Sequence, residues 1–205
     1  MNYDNKRIAG LLFVVGVVQF VLAVVISEAI YPGYSVGQQA MSDLGDWSLA
    51  GNSAAIYDVS IILLGMFVIV GAYFIQRIFK NRLFTSLGVM TGVGCVGVGV
   101  VAENISLPIH DVFALVTFVF AAASAIMSYK FEKSPLFYVS VILGVVTLLA
   151  TVLLISGYRV NSGFYLGIGL GGMQRFIIYP TLLWLLGFGA YLIGDSSDTA
   201  TTSKA

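Results

Sequence analysis

Charge is what this chain has least of. Of its 205 residues only 10% are Asp, Glu, Lys or Arg, and ten basic side chains balance ten acidic ones. Soluble domains carry ~25% charged residues, and a protein that binds nucleic acid shows a basic field; neither description fits. Histidine and cysteine each occur once. A three-histidine zinc site and an internal disulfide are therefore excluded. Cys95, set in the apolar run 89–101, reads as a small packing residue. No cofactor is expected either. Gly92-x-Gly94-x-x-Gly97 and the glycines of 167–172 imitate a dinucleotide fingerprint, but neither lies between a strand and a helix. The first, with Gly88 and Gly92 four apart, suits close helix packing in a membrane. The second suits a flexible approach to the last apolar run.

In place of charge there is apolar sequence, 59% of residues, with a mean hydropathy of +0.96. A bilayer core of ~30 Å needs about 20 apolar residues per helix. Six windows qualify: Ile8 to Ile30, Ala55 to Ile75, Phe84 to Ala102, Val112 to Tyr129, Leu136 to Ser156 and Phe176 to Ile193. The pattern predicts an all-α polytopic membrane protein, six transmembrane helices in one bundle over residues 1–193, then a disordered tail at 194–205 too polar to bury a core. Lys6 and Arg7 imitate the start of a secretory signal. Signal cores cover only about 7 to 15 residues, so the first span reads as retained.

Lys and Arg gather on the cytoplasmic side of membrane proteins. Threading six spans puts Lys6, Arg7, Arg77, Lys80, Arg82, Lys130, Lys133 and Lys204 on one side, eight of the ten. Arg159 and Arg175 fall on the other, with Glu28, Asp43, Asp46, Asp58, Glu103 and Asp111. Both termini are therefore expected in the cytoplasm, and the protein in the cell membrane.

The outer loop at 31–54 opens with YPGYSVGQQAMSDLGDW, which holds two aspartates and no Lys or Arg. Structureless loops longer than about 12 to 15 residues are uncommon in compact proteins. Tyr31, Tyr34, Met41, Leu44, Trp47 and Leu49 suit a lid folded onto the helix ends, with Trp47 buried and Ser42 or Asp43 closing a local turn. Asp43 is expected within hydrogen-bond reach of His110 or Arg175, and Asn52 is a plausible N-cap of span two.

Other polar residues collect under that lid. Asp58 lies one turn inside span two, Glu103 ends span three, His110 and Asp111 open span four, and Arg175 opens span six. Charges in a span cost at least ~2.5 kcal/mol and find partners, which makes Asp58 the natural counter-ion of Arg175. The guanidinium fork also suits an anion or a headgroup. The expected ligand-binding set is Arg175, Asp58, Glu103, Asp111 and Ser42; His110 with Asp43 is the pair that acid–base chemistry would use. Ser42 and Ser106 lack any nucleophile motif; His110 could hold a divalent ion with Glu103, Asp111 and Asp43, but that is a weak constellation and no metal is expected. Each residue also has a plain reading: Asp111 favours a helix N-terminus, and Glu28 and Glu103 mark water-facing helix ends.

Taken in order, YPGYSVGQQAMSDLG, the Asn52 to Asp58 approach, GVGVVAEN with LPIH, and GMQRFIIYPTLLW resemble the archaeal and bacterial membrane family called domain of unknown function 998. The resemblance covers nearly the whole chain. It picks out Ser42, Asp43, Gly45, Asn52, Glu103, His110, Gln174 and Arg175. Val101, Ala102 and Glu103 stand where related sequences often carry a proline and an acid. That family is similar, more distantly, to the six-span superfamily of the FGF-receptor-activating-gene and damage-regulated autophagy modulator proteins, some of which act in lipid-anchor remodelling. The resemblance implies the architecture and brings no activity with it.

Two functions follow as expectations. One is binding or remodelling of a lipid headgroup or other anionic ligand at the outer face, in its enzymatic form a lipid-directed hydrolase or transferase. The alternative is a non-catalytic accessory or assembly subunit with a membrane-protein partner. A transporter ranks third, because repeated halves and mid-membrane charges are missing.

Overall fold

The computed structural model describes the backbone of residues 2–202 and the side chains of residues 5–196. Six helices follow one another: α1 Asn2–Ile30, α2 Ala54–Phe79, α3 Arg82–Val100, α4 Glu103–Met127, α5 Leu136–Arg159 and α6 Gly169–Thr202, with no strand among the described residues. Each is long and apolar enough to cross a membrane.

Three helices start well before their apolar windows, α1 at Asn2 among them. α4 begins at Glu103 and α6 at Gly169, because polar residues can be helical without being hydrophobic. Ser106 leaves helical geometry (φ −163°, ψ 96°) just before Pro108, which lacks an N–H and crowds the carbonyl four residues back. The chain bends there and continues. His110, Asp111 and Arg175 therefore sit within helices rather than at their first residues. Asn52 lies in a short 3-10 turn, Gly51–Ser53, and Ser53 precedes α2 without a side-chain cap. The last helix also runs past the expected limit of 193. Of the expected disordered tail, 194–202 has a helical backbone, and the rest lies outside the described residues.

Sequence neighbours are spatial neighbours, and α1 closes against α6, so the helices form a ring. The seams of α1 with α2 and α2 with α3 are the most extensive; that of α4 with α5 is the loosest. A Cβ on Gly65 would lie 2.6 Å from the Gly92 carbonyl oxygen, and one on Gly92 the same distance from that of Gly65. Only glycine allows backbones this close. The small residues of α3 are thus spent on contacts inside the chain.

Phe13, Phe20, Tyr57, Phe84, Trp184 and Phe188 point into the ring. Leu22, Val25, Leu83, Val100, Ile142, Leu149 and Val152 point out and are more than half exposed. Apolar groups on both sides of every wall are what a hydrocarbon solvent selects.

Candidate functional site

The connection between α1 and α2 folds down as a lid. Met41 and Leu44 are fully buried, Ser42 and Asp46 nearly so. Three anchors hold it. The first is Arg175, whose guanidinium donates to Tyr34 Oη at 2.9 Å, to the Val36 carbonyl at 3.1 Å and to the Gly171 carbonyl at 2.9 Å, and forms an ion pair with Glu28. The second is Gln174, which accepts from Met41 N and donates to Ser42 Oγ at 3.2 Å. The third is Trp47, whose indole N–H donates to Asp58 Oδ2 at 2.8 Å while its backbone N–H reaches Asn104 Oδ1 at 3.3 Å. The glycines at the start of α6 receive the lid, with Gly171 N donating to the Gly37 carbonyl at 3.2 Å.

Several expectations need correction. Arg175 pairs with Glu28, not Asp58, because the ring places α1 beside α6. Asp58 serves the lid through Trp47. Trp47 is 45% exposed rather than buried: only its N–H edge is held, and its face stays at the surface, as indoles do at a membrane interface. Asp43 accepts from Ala40 N at 3.0 Å, closing a local turn as expected, but it hydrogen-bonds neither His110 nor Arg175. Burial, and next the Glu103 charge, push its carboxyl from an ordinary 3.8 up to about 6, against the Ala40 N–H and with a smaller push from Asp46.

Below the lid a chamber of about 470 Å³ opens between α4 and α5. Four expected site residues line it: Ser42, Glu103, His110 and Asp111. Asp43, Asp58 and Arg175 do not. His110 is 3% exposed; its Nδ1 lies 2.8 Å from the Val101 carbonyl. A carbonyl only accepts, so Nδ1 carries the hydrogen. That leaves Nε2 facing Glu103 Oε1 at 3.6 Å, beyond hydrogen-bond length. The His110 partner is therefore Glu103, and both turn unfilled hydrogen-bonding capacity toward the space. Ser42 Oγ accepts from Gln174.

Sequence reasoning missed the chamber's basic wall. Arg159, at the end of α5, lines it opposite Asp111 on α4, and both are exposed and make no ion pair among the described residues. The signal was available, since Arg159 is one of only two basic residues on its side of the charge count. Glu28 as the Arg175 partner had no comparable signal.

Ring, lid and lateral chamber define a six-helix integral membrane protein with a polar site at one end. Its family is shown by sequence: the chain belongs to the family described as Protein of unknown function (DUF998), whose model matches residues 14–191. No curated protein and no solved structure matches the chain.

Proposed function

We propose that this protein binds a membrane amphiphile, taking its polar head into the chamber through the seam between α4 and α5. The observation that supports this most is the position of the opening. Leu107, Leu115 and Ile155 line the chamber and are also exposed on the apolar outer wall. The polar site thus faces hydrocarbon sideways, as a lipid approaches, and not only water from above. The charge asymmetry supports placing this end in the outer leaflet.

The lining suggests the head. Arg159 supplies the guanidinium that a phosphate would use, while Glu103, Asp111 and His110 offer acceptors for an amine or hydroxyl. A phosphate-bearing head that also carries a donor matches both walls. Arg175, with four protein partners already, holds the lid instead. Any hydrolase or transferase chemistry would fall to His110 acting on water beside Glu103, since Ser42 Oγ bonds to Gln174 and, among the described residues, to no base. The α3 glycines that suit close packing give the accessory-subunit reading no support, because Gly92 meets Gly65 of the same chain.

The test is phospholipid retained by the purified full chain, measured by mass spectrometry. Arg159→Ala and Glu103→Gln should each reduce retention by about tenfold, the value of one lost charge-assisted contact. Retention unchanged in both variants would overturn the reading.

A further inference from the structure

The chamber is not the end of the open space. A second, narrower cavity shares Ser42, His110, Ala114, Phe118 and Gln174 with it and continues down the axis of the ring. Its walls are apolar, with Leu64, Val68, Val98, Ala121, Ile178 and Leu182 among them. It ends among Phe84, Trp184 and Phe188, where Trp184 stacks on Phe188 at 5.8 Å and Phe84 meets Phe188 edge to face at 5.9 Å, closing the far end. Trp184 is fixed there by its N–H bond to the buried Ser128 Oγ at 3.0 Å.

From this geometry we infer that the axial cavity holds one acyl chain of the amphiphile whose head occupies the chamber. The inference rests on the reading above for the head and adds the chain. Three helices measure the depth alike: His110 to Ser124 on α4, Gln174 to Phe188 on α6 and Phe84 to Val98 on α3. At 1.5 Å per residue each interval is about 21 Å. The chains of one leaflet span half of the ~30 Å hydrocarbon core, about 15 Å, so the lane is long enough for one chain. Width selects further. Only about 90 Å³ is free along that length, against about 470 Å³ in the chamber, so the lane at rest holds part of one chain, takes the whole of it as lining side chains move apart, and excludes a second. An apolar void forfeits packing, stays dry and accepts apolar guests. The aromatic floor makes the lane a blind tube, and a blind tube discriminates chain length.

The experiment uses the full chain in nanodiscs with a lysophospholipid carrying a photoactivatable group at the end of a sixteen-carbon chain. Crosslinks should map to Ala121, Ile178, Leu182 or the floor residues. Ala121→Trp, which fills the lane, should cut that labelling by about tenfold, since several buried methylenes lose their site. Should Ala121→Trp fail to fold, Ala121→Leu and the wild-type crosslink map still decide. Labels confined to outward residues such as Ile142, Leu149 and Val152 would overturn the inference. The two readings fail separately. Lipid retention that depends on Arg159 with an unlabelled lane removes only the chain; a labelled lane with retention indifferent to Arg159 and Glu103 removes only the head.

Discussion

The two ends of this ring are closed by different means. At the loop end the closure is polar: Arg175, Gln174 and Asp58 each reach from a helix to the lid, and a lateral chamber is left beneath. At the other end it is aromatic: Phe79, Phe84, Phe131 and Phe188 meet ring against ring, Phe79 stacked on Phe131 and Phe84 edge to face with Phe188, and Asp195 binds both Lys6 and Lys133 at the rim. A plug of rings excludes water and has no directional bonds to exchange. A lid held by a few hydrogen bonds can let go one bond at a time, so the site belongs at that end.

The largest effect should separate the two closures directly. Arg175 is 7% exposed, and removing one partner of a buried ion pair strands the other. Arg175→Ala should cost about 3–5 kcal/mol, read as a fall in the unfolding midpoint with easier proteolysis near Val36. Arg175→Lys should recover only part, because one ammonium cannot reproduce the forked contacts to Tyr34, Val36 and Glu28. Lys6→Ala at the opposite rim breaks a pair whose side chains are 22% exposed, and about 1 kcal/mol or less is expected. Equal losses would abolish the contrast.

A second effect lies at the aromatic end. Glu132, in the connection between α4 and α5, is buried, and both carboxylate oxygens lack hydrogen-bond partners. Ser140, Ser128 and Trp184 stand near it, yet none makes a full hydrogen bond to it, and Trp184 donates to Ser128 instead. Burial raises its carboxyl above an ordinary 4.5, opposed by those three neighbours. A raised acid contributes stability that is complete below the unfolded value and is lost as pH climbs through the folded one. Glu132→Gln removes that loss. The variant should match wild type near pH 4 and exceed it by about 1–3 kcal/mol at higher pH, the cost of an unpaired buried polar group. A gain independent of pH would mean the carboxyl is not the cause.

The same comparison shows what a sequence can and cannot disclose. The six spans follow from apolar window length alone, and the lid from an outer loop with aromatic residues and no basic one. Those are properties of segments. Pairings are properties of closure. Arg175 had Asp58, Glu28, Glu103 and Asp111 as formal candidates, and only the contact of α1 with α6, which joins positions 147 residues apart, selects Glu28. The early starts of α4 and α6 were hidden because a hydropathy window ends where polar residues begin, although the helix does not. Trp47 misled for a related reason: an indole can be anchored by its N–H and still present its face outward.

The smallest effect concerns Asp43 and tests how far the lid senses the chamber. Its carboxyl is raised from 3.8 to about 6 chiefly by burial and then by Glu103 across the chamber mouth. The unfolded chain releases this proton at lower pH than the folded one. Stability from this residue is therefore complete below about pH 4 and declines as pH rises to about 6. Asp43→Asn keeps an oxygen to accept from Ala40 N and abolishes the titration, so its unfolding midpoint should be flatter than wild type across that window. In Glu103→Gln the Asp43 decline should begin at the same pH, which the unfolded chain sets, but end at lower pH and be smaller, since the neighbouring negative charge is gone while burial persists. If Glu103→Gln leaves the wild-type profile in place, lid and chamber are electrically separate, and the lid is only a cover. A shift would make the bound head's own charge a means of altering how firmly the lid is held, because a cation placed beside Glu103 acts on Asp43 in the same direction as removing that charge.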